Sequence, residues 1–443
     1  MTRMASTPAG DPAQRDARAF PESTLPAWIP FRLPNGLRAF AHRDYRVYWF
    51  AQLISFTGTW MQSLAQSWLV LTMTNSPAAL GLVGVFQFGP SLILGLPAGV
   101  VVDRVPKRKL LIVTQGMSAV ITGVLALLVV TGRVQLWHIY AAALALGVIS
   151  AVDMPARQAF VVDLVGKDDL MNAIALNSAL FNTTRVVGPA LAGLLLAAYG
   201  AEINFSLNAL SYLPVTAALL TMSTQGQPTA APTVSPLERL REGLAYVRAT
   251  PAVMLPIVLA GLLATFGMNF NVWAPLLARN ALNIGASGFG LLMSSLGIGS
   301  LAGALSLAFA GRRPSTQVML LTALLFGLFE IALGLATGLG LPAALAMILM
   351  AGVGFSMSTT MAQANTTVQT NTPDHLRGRV LSIYLTVFAG STPLGAALAG
   401  FLSTVWGAPA AVAIGGTAVT LATMVIGGRM ILARRHTSAG TSG

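Results

Sequence analysis

Long apolar stretches separated by short charged or turn-forming gaps run through almost the whole chain. A helix needs about 20 apolar residues to cross a bilayer core. Twelve stretches meet that length, at 48–73, 78–102, 110–131, 136–156, 171–198, 203–222, 253–278, 287–310, 316–338, 342–363, 378–404 and 409–431. Each is read as a membrane span. Residues 1–38 are polar and Pro-rich and lack the apolar core of a secretory signal. They are expected to form a disordered tail, with the first span retained. Leu37 to Arg46 mixes bulky apolar and basic residues, as in a short helix at a membrane surface. The one substantial polar gap, 223–250, divides six spans from six. Its first half, around Gln225-Gly226-Gln227-Pro228, reads as a linker. Its second half, with Glu238, Arg239, Arg241, Glu242 and Arg248, reads as a charged surface helix. The expected divisions are therefore 39–222, the linker 223–250, 251–436 and a short tail, 437–443.

Polar positions inside the spans keep a helical period. Span one carries Gln52, Ser55, Thr59, Gln62, Ser63 and Gln66 on one face, with Trp60 and Trp68 beside it. Such a face must meet protein or water. Span ten repeats the pattern with Ser356, Thr359, Thr360 and Gln363, and span seven adds Thr265, Asn269 and Asn271. These residues either line a cavity or hold helices together, and their density of Gln and Asn favours a cavity.

The stretch 95–109 joins two spans through a tight turn. Gly95 and Gly99 lie four apart, on one helix face, and leave a groove where another helix can approach. The turn concentrates Asp103, Arg104, Lys107, Arg108 and Lys109, which excludes it from lipid. A shift of 204 positions superposes Gly81, Gly84, Gly95 and Gly99 on Gly285, Gly288, Gly299 and Gly303. The same shift superposes Arg108 and Lys109 on Arg312 and Arg313, and Pro189 on Pro393. That register implies two parallel six-helix halves. Asp103 and Arg104 become Leu307 and Ala308, so the charged turn is complete only once.

Composition agrees with membrane residence. Hydrophobic residues make up 55% of the chain and charged ones only 9%, with a mean hydropathy of +0.71, whereas soluble proteins carry about 25% charged residues. The net charge of +12 sits in the gaps between spans and is not read as a nucleic-acid surface. With both termini inside, the outer side keeps only Arg133 and Arg279, as the positive-inside rule requires for a multi-pass membrane protein. Cysteine is absent, which removes disulfides and thiolate chemistry. None of the three lysines lies in a P-loop, the four histidines are scattered, and no nucleophile or metalloprotease signature is present. No cofactor, metal site or enzyme activity is expected.

The motif Gly99-x-x-x-Asp103-Arg104-x-x-Lys107-Arg108-Lys109 resembles the signature of the second loop in the major facilitator superfamily, with Pro106 replacing a glycine. Gly188-Pro189-Ala190-Leu191-Ala192-Gly193 is similar to the Gly-Pro motif of its antiporter branches. Asp153-Met-Pro155-Ala-Arg157-Gln158 resembles the bacterial exporters called transmembrane secretion effectors. The likeness covers residues 38–430. It implies an all-α membrane fold of twelve helices in two bundles, rocking as a monomer around a midplane cavity. It also implies that Asp103 latches onto Arg377 or Arg379 and the start of span eleven, whose free N–H groups favour an anion in any case. The alternative is that Asp103 only balances a basic loop and fixes topology.

Four of the charges within or at the ends of spans carry candidate roles. Asp153 and Arg157 lie one turn apart and are expected to pair, as a gate component or as a local interfacial pair. Arg185 falls near the middle of span five, where burial is costly unless it is paired or wetted, so it is placed facing the cavity or the other half. Glu330 is the one acid in the interior of a span, away from its ends. It either carries a proton or sits idle at the lipid or outer face. Glu330 and Asp153 are the proton-carrying candidates. The function expected is proton-coupled export of a hydrophobic or amphiphilic small molecule such as a drug, macrolide or siderophore. A nutrient importer on the same fold and a non-transporting sensor are the alternatives.

Overall fold

The structure is a computed structural model, and it describes residues 35–228, 236–310 and 314–439. Most of the expected N-terminal tail, Arg312, Arg313 and the last four residues lie outside the described residues. Among the described residues every regular element is a helix.

A short 3₁₀ helix, Asn35–Ala41, precedes α1 (Arg43–Thr74). It occupies the place of the expected surface helix and is anchored: the Ala39 N–H donates to Asn172 Oδ1 at 2.8 Å, and Arg38 and His42 reach Asp169. Then come α2 (Pro77–Arg104), α3 (Lys107–Val130), α4 (Leu136–Val165), α5 (Leu170–Tyr199) and α6 (Ala201–Thr221). The connections are short because their residues suit sharp reversals. Asn75 closes α1 in the left-handed region, φ 48°, and Ser76 caps α2 by accepting the Ala79 N–H, with Pro77 at the first helical position. Pro106 has no N–H to continue α2 and stands at the start of α3.

The surface helix α7 (Pro236–Ala249) falls where the linker's charged half was expected. Beyond it lie α8 (Pro251–Phe266), α9 (Phe270–Leu276), α10 (Gly285–Ala310), α11 (Thr316–Gly338), α12 (Ala343–Thr370) and α13 (Asp374–Ala439). The run 253–278, expected as one helix, is broken at Gly267–Asn269. At the break a Cβ on Gly267 would lie 2.2 Å from the Phe326 ring, so the chain there passes where only glycine fits. The element α13 is itself interrupted at Gly407, whose φ of 80° and ψ of 160° are not helical.

Ten segments among the described residues are long and apolar enough to cross a membrane, fewer than the twelve expected. The difference has two causes. Gln52, Gln62 and Gln66 lower the hydropathy of α1 below that of the others, and one segment, His375–Arg429, runs 55 residues through the Gly407 break. The outside of the molecule is apolar: Val120, Leu127, Leu194, Leu394 and Phe401 are all more than half exposed. That suits lipid rather than water.

Packing follows the small residues. Helix α1 lies against α5 and α6, α3 against α4 and α6, and α2 against α4. Later in the chain α10 packs on α12, α11 on α12 and α13, and α8 on α13. The early and late helices meet chiefly through α2 with α13 and α5 with α10.

Candidate functional site

The early and late helices are drawn together at the end of the molecule that carries Pro77. A Cβ on Gly193 of α5 would lie 2.7 Å from Gly290 Cα of α10, and one on Gly81 would lie 2.7 Å from the Ala396 carbonyl oxygen. Arg279 donates to the Leu71 carbonyl at 2.9 Å, and Trp68 stacks on Phe289. The Gly-Pro segment of α5 serves both sides of this crossing. Gly188 admits Trp60 of α1, Gly193 admits α10, and Pro189 lies buried between them. Trp60 also meets Phe181 edge-on.

The basic-loop end differs. A Cβ on Gly95 or Gly99 would find no atom within 4 Å, so the expected groove is present but unfilled. Half-buried Asp103 makes no ion pair among the described residues, and Arg104 is exposed. Asp103 is not brought to Arg377 or Arg379. Arg379 pairs with Glu242 of α7, and Arg377 donates to the Gln369 carbonyl.

Lys107 and Arg108 hold the linker rather than the far half. The Lys107 ammonium donates to the Gln227 carbonyl at 2.6 Å and lies 3.3 Å from Asp163. The Lys107 and Arg108 N–H groups donate to Gly226 and Gln225. The Arg108 guanidinium donates to the Leu219 and Leu220 carbonyls. From the other side, Asp44 Oδ2 accepts four hydrogen bonds, from the N–H and hydroxyl of both Ser223 and Thr224. Burial opposes its charge, but these bonds win and hold the carboxyl below its ordinary value. Gly226, at φ 66°, runs 2.9 Å from Lys107 Cβ when given a Cβ, so this strap accepts no side chain there.

A buried polar cluster lies above the strap. Asp153 Oδ1 accepts from Thr114 at 2.6 Å and Gln115 at 2.8 Å, and its other oxygen takes the Arg157 guanidinium. Arg157 also donates to Gln52 and lies 5.3 Å from the centre of the Phe56 ring. One acid is thus met by three donors, and the cluster ties α1, α3 and α4 together.

The polar stripe of α1 meets three different neighbours. Gln52 faces Arg157, and Gln62 accepts from Asn208 of α6 at 2.7 Å. Ser63 and Gln66 line a cavity of about 80 Å³ with Gln87 of α2, Asn269, Asn271 and Thr392. That volume is well below the roughly 300 Å³ of the smallest ligand pockets, so a larger guest needs the helices to part. Thr59 is exposed and bonds its own helix. Ser356 bonds the Gly352 carbonyl and Gln363 accepts the Ser315 N–H, so both brace helices here. Arg185 crosses to α12, its guanidinium 3.7 Å from Met357 Sδ. Glu330 is 1% exposed, which removes it from the lipid or outer face.

Sequence reasoning passed over Asp44, Thr114, Gln115 and Asn208, and gave Glu242 only a place on a charged surface helix. A period was there to be seen in α3, where Thr114, Gln115, Ser118 and Thr122 form a stripe at helical spacing. Asp44 and Glu242 carry no such signal.

The transmembrane secretion effector family profile matches residues 35–440. The chain is similar to the staphyloferrin A transporter of Staphylococcus aureus, 26% identical over 85% of this chain and 93% of the relative. It is also similar to the multidrug efflux pump Tap of Mycolicibacterium fortuitum, 28% identical over 80% of this chain and 88% of that one. Among solved structures, a D-xylose–proton symporter superposes with a TM-score of 0.69 at 14% identity, over 86% of this chain and 96% of that one. That likeness is one of fold. The protein belongs to the transmembrane secretion effector family of the major facilitator superfamily, and is a multi-pass membrane transporter rather than an enzyme.

Proposed function

We propose that this transporter exports a hydrophobic or amphiphilic small molecule, a drug, macrolide or siderophore, by alternating access in exchange for protons. Counting α1 as a span, and dividing the 55-residue segment at Gly407, gives twelve crossings. They form two six-helix bundles, 39–222 and 251–436, joined by the linker 223–250. Both termini lie on the cytoplasmic side of a bacterial membrane, as the Lys and Arg distribution requires, and the protein works as a monomer.

The observation that carries this reading is the unequal closure of the two ends. Small residues seal the Pro77 end by backbone contact, while at the other end the Gly99 face is open and Asp103 makes no ion pair among the described residues. In the opposite state Asp103 takes Arg377 or Arg379, and Arg379 leaves Glu242. Gln66, Asn269 and Arg185 face the path between the bundles, with few acids to select for multivalent cations. Relatives named for a siderophore and for multidrug efflux support the cargo class.

The test is accumulation of ethidium and erythromycin by an efflux-deficient host expressing the chain, with and without a protonophore. Lower accumulation, abolished by the protonophore, is expected. Unchanged accumulation across a broad panel, with uptake of a sugar or nucleoside instead, would replace export by import.

A further inference from the structure

Glu330 sits where α8, α11 and the second part of α13 converge. A Cβ placed on Gly267 would lie 3.0 Å from its Oε2, and one on Gly416 would lie 2.8 Å from its own Cβ. Neither carboxyl oxygen has a hydrogen-bond partner, and the Thr420 hydroxyl, one turn from Gly416, has none either. No ionisable residue lies in α8, α9 or α12. Those of α13 lie before Val380 or from Arg429 onward, apart from Tyr384, whose hydroxyl points to Met361. Arg279, between α9 and α10, is bound to the Leu71 carbonyl. Among the described residues nothing ionisable faces Glu330.

An unpaired carboxylate in such a place is strongly disfavoured. The junction as built therefore accepts the neutral acid. Asp153 is the opposite case, since Thr114, Gln115 and Arg157 satisfy its charge in place. For Glu330 to lose a proton, water or a donor must reach it. The softest part of its wall is the break Gly267–Asn269, where the helix ladder is already interrupted and Asn269 has no side-chain cap bond. Any shift there moves Asn269 and Asn271, which line the polar cavity.

We propose that Glu330 is a proton-binding site whose proton, once released to water entering at Gly267–Asn269, lets the α8–α9 break rearrange and reshapes the cavity wall formed by Asn269 and Asn271. This rests on the proton-exchange reading and names its site in the second bundle. The carboxyl gives up one proton to the water that enters and takes one back when the break closes.

The chain has no cysteine, so Asn271→Cys gives a single labelling position. In proteoliposomes, infrared difference spectra across a pH titration are expected to show a protonated-carboxyl band that vanishes on alkalinisation. The band is expected to be absent from Glu330→Gln and Glu330→Met but kept in Asp153→Asn. Maleimide labelling at 271 is expected to rise several-fold over the same pH interval, and to lose that response in both Glu330 variants. A band that survives in Glu330→Gln, no such band in the unmutated protein, or a labelling response untouched by the variants overturns the proposal. If the band and labelling behave as expected but ethidium efflux ignores an imposed pH gradient, proton exchange fails as the reading and the proton-operated break stands.

Discussion

Gly99 and Gly303 hold equivalent places 204 residues apart, as do Gly95 and Gly299, yet their surroundings are opposite. In α10 a Cβ on Gly299 would lie 1.9 Å from the Ala351 carbonyl oxygen, and one on Gly303 would lie 2.5 Å from that of Phe355. In α2 the same substitutions would meet nothing. Packing explains the second pair and leaves the first without a structural reason in this state. The difference teaches that glycines in one sequence register are used in two ways, as a contact between later helices and as an open face on an earlier one. That open face lies at the end where Asp103 makes no ion pair among the described residues, and under the proposed alternating access it is the face expected to close.

The largest effect expected breaks the contact between the later helices. Gly299→Val forces side-chain carbons into the α12 backbone, which costs about 3 kcal/mol or more. The readouts are the yield of folded protein and its unfolding temperature in detergent. Gly99→Ala has the opposite sign, because replacing a mid-helix glycine in open space gains roughly 0.5–1 kcal/mol. Equal losses of stability in the two variants would erase the comparison.

The next effect separates moving from folding. Gly99→Leu and Asp103→Asn are expected to lower efflux at least several-fold while insertion is unchanged and the unfolding temperature does not fall. The first fills the face that must close, and the second removes the charge that would hold it shut. Full efflux from Asp103→Asn would leave that residue as a topology signal in a basic loop, and the gating role would pass to the glycines alone.

How far the chain could be read in advance follows the same division. The helices were legible because apolar length is a local property: α3 runs Lys107–Val130 where 110–131 was expected. The Gly-Pro segment was legible as a motif, and its use is visible as the crossing of α5 with α1 and α10. The fate of the α1 stripe was not. Periodicity shows that Gln52, Gln62 and Gln66 share a face, but which neighbour each meets depends on how α4, α6 and α9 are set around it. Lys107 and Arg108 were legible as part of the gating motif but their hold on the linker was not, because most of their acceptors are backbone carbonyls that every residue owns. The break in span seven was hidden because Gly267 is forced by Phe326, a residue 59 positions away in sequence.

The smallest effect tests whether the α2–α3 turn is half moving and half fixed, as the comparison requires. Its fixed part, Lys107 and Arg108, is bound to the strap, which Asp44 of α1 holds from the other side. Asp44 is the acid that holds the Ser223 and Thr224 end of this strap. Because the native carboxyl of Asp44 is held below its ordinary value, its contribution is complete above the unfolded value, about pH 4, and is lost as pH falls through the native one. Hydrogen exchange at the Ser223 and Thr224 amides, corrected for intrinsic rate, is therefore expected to stay constant from neutral pH down to that value and then to lose protection. Asp44→Asn lowers protection several-fold at neutral pH and abolishes the acid step. The charge is partly exposed and its pull is screened by solvent, so efflux by this variant is expected to change less than in Asp103→Asn. If Asp44→Asn stops transport while Asp103→Asn does not, the strap is the moving part and the roles of the two acids must be exchanged.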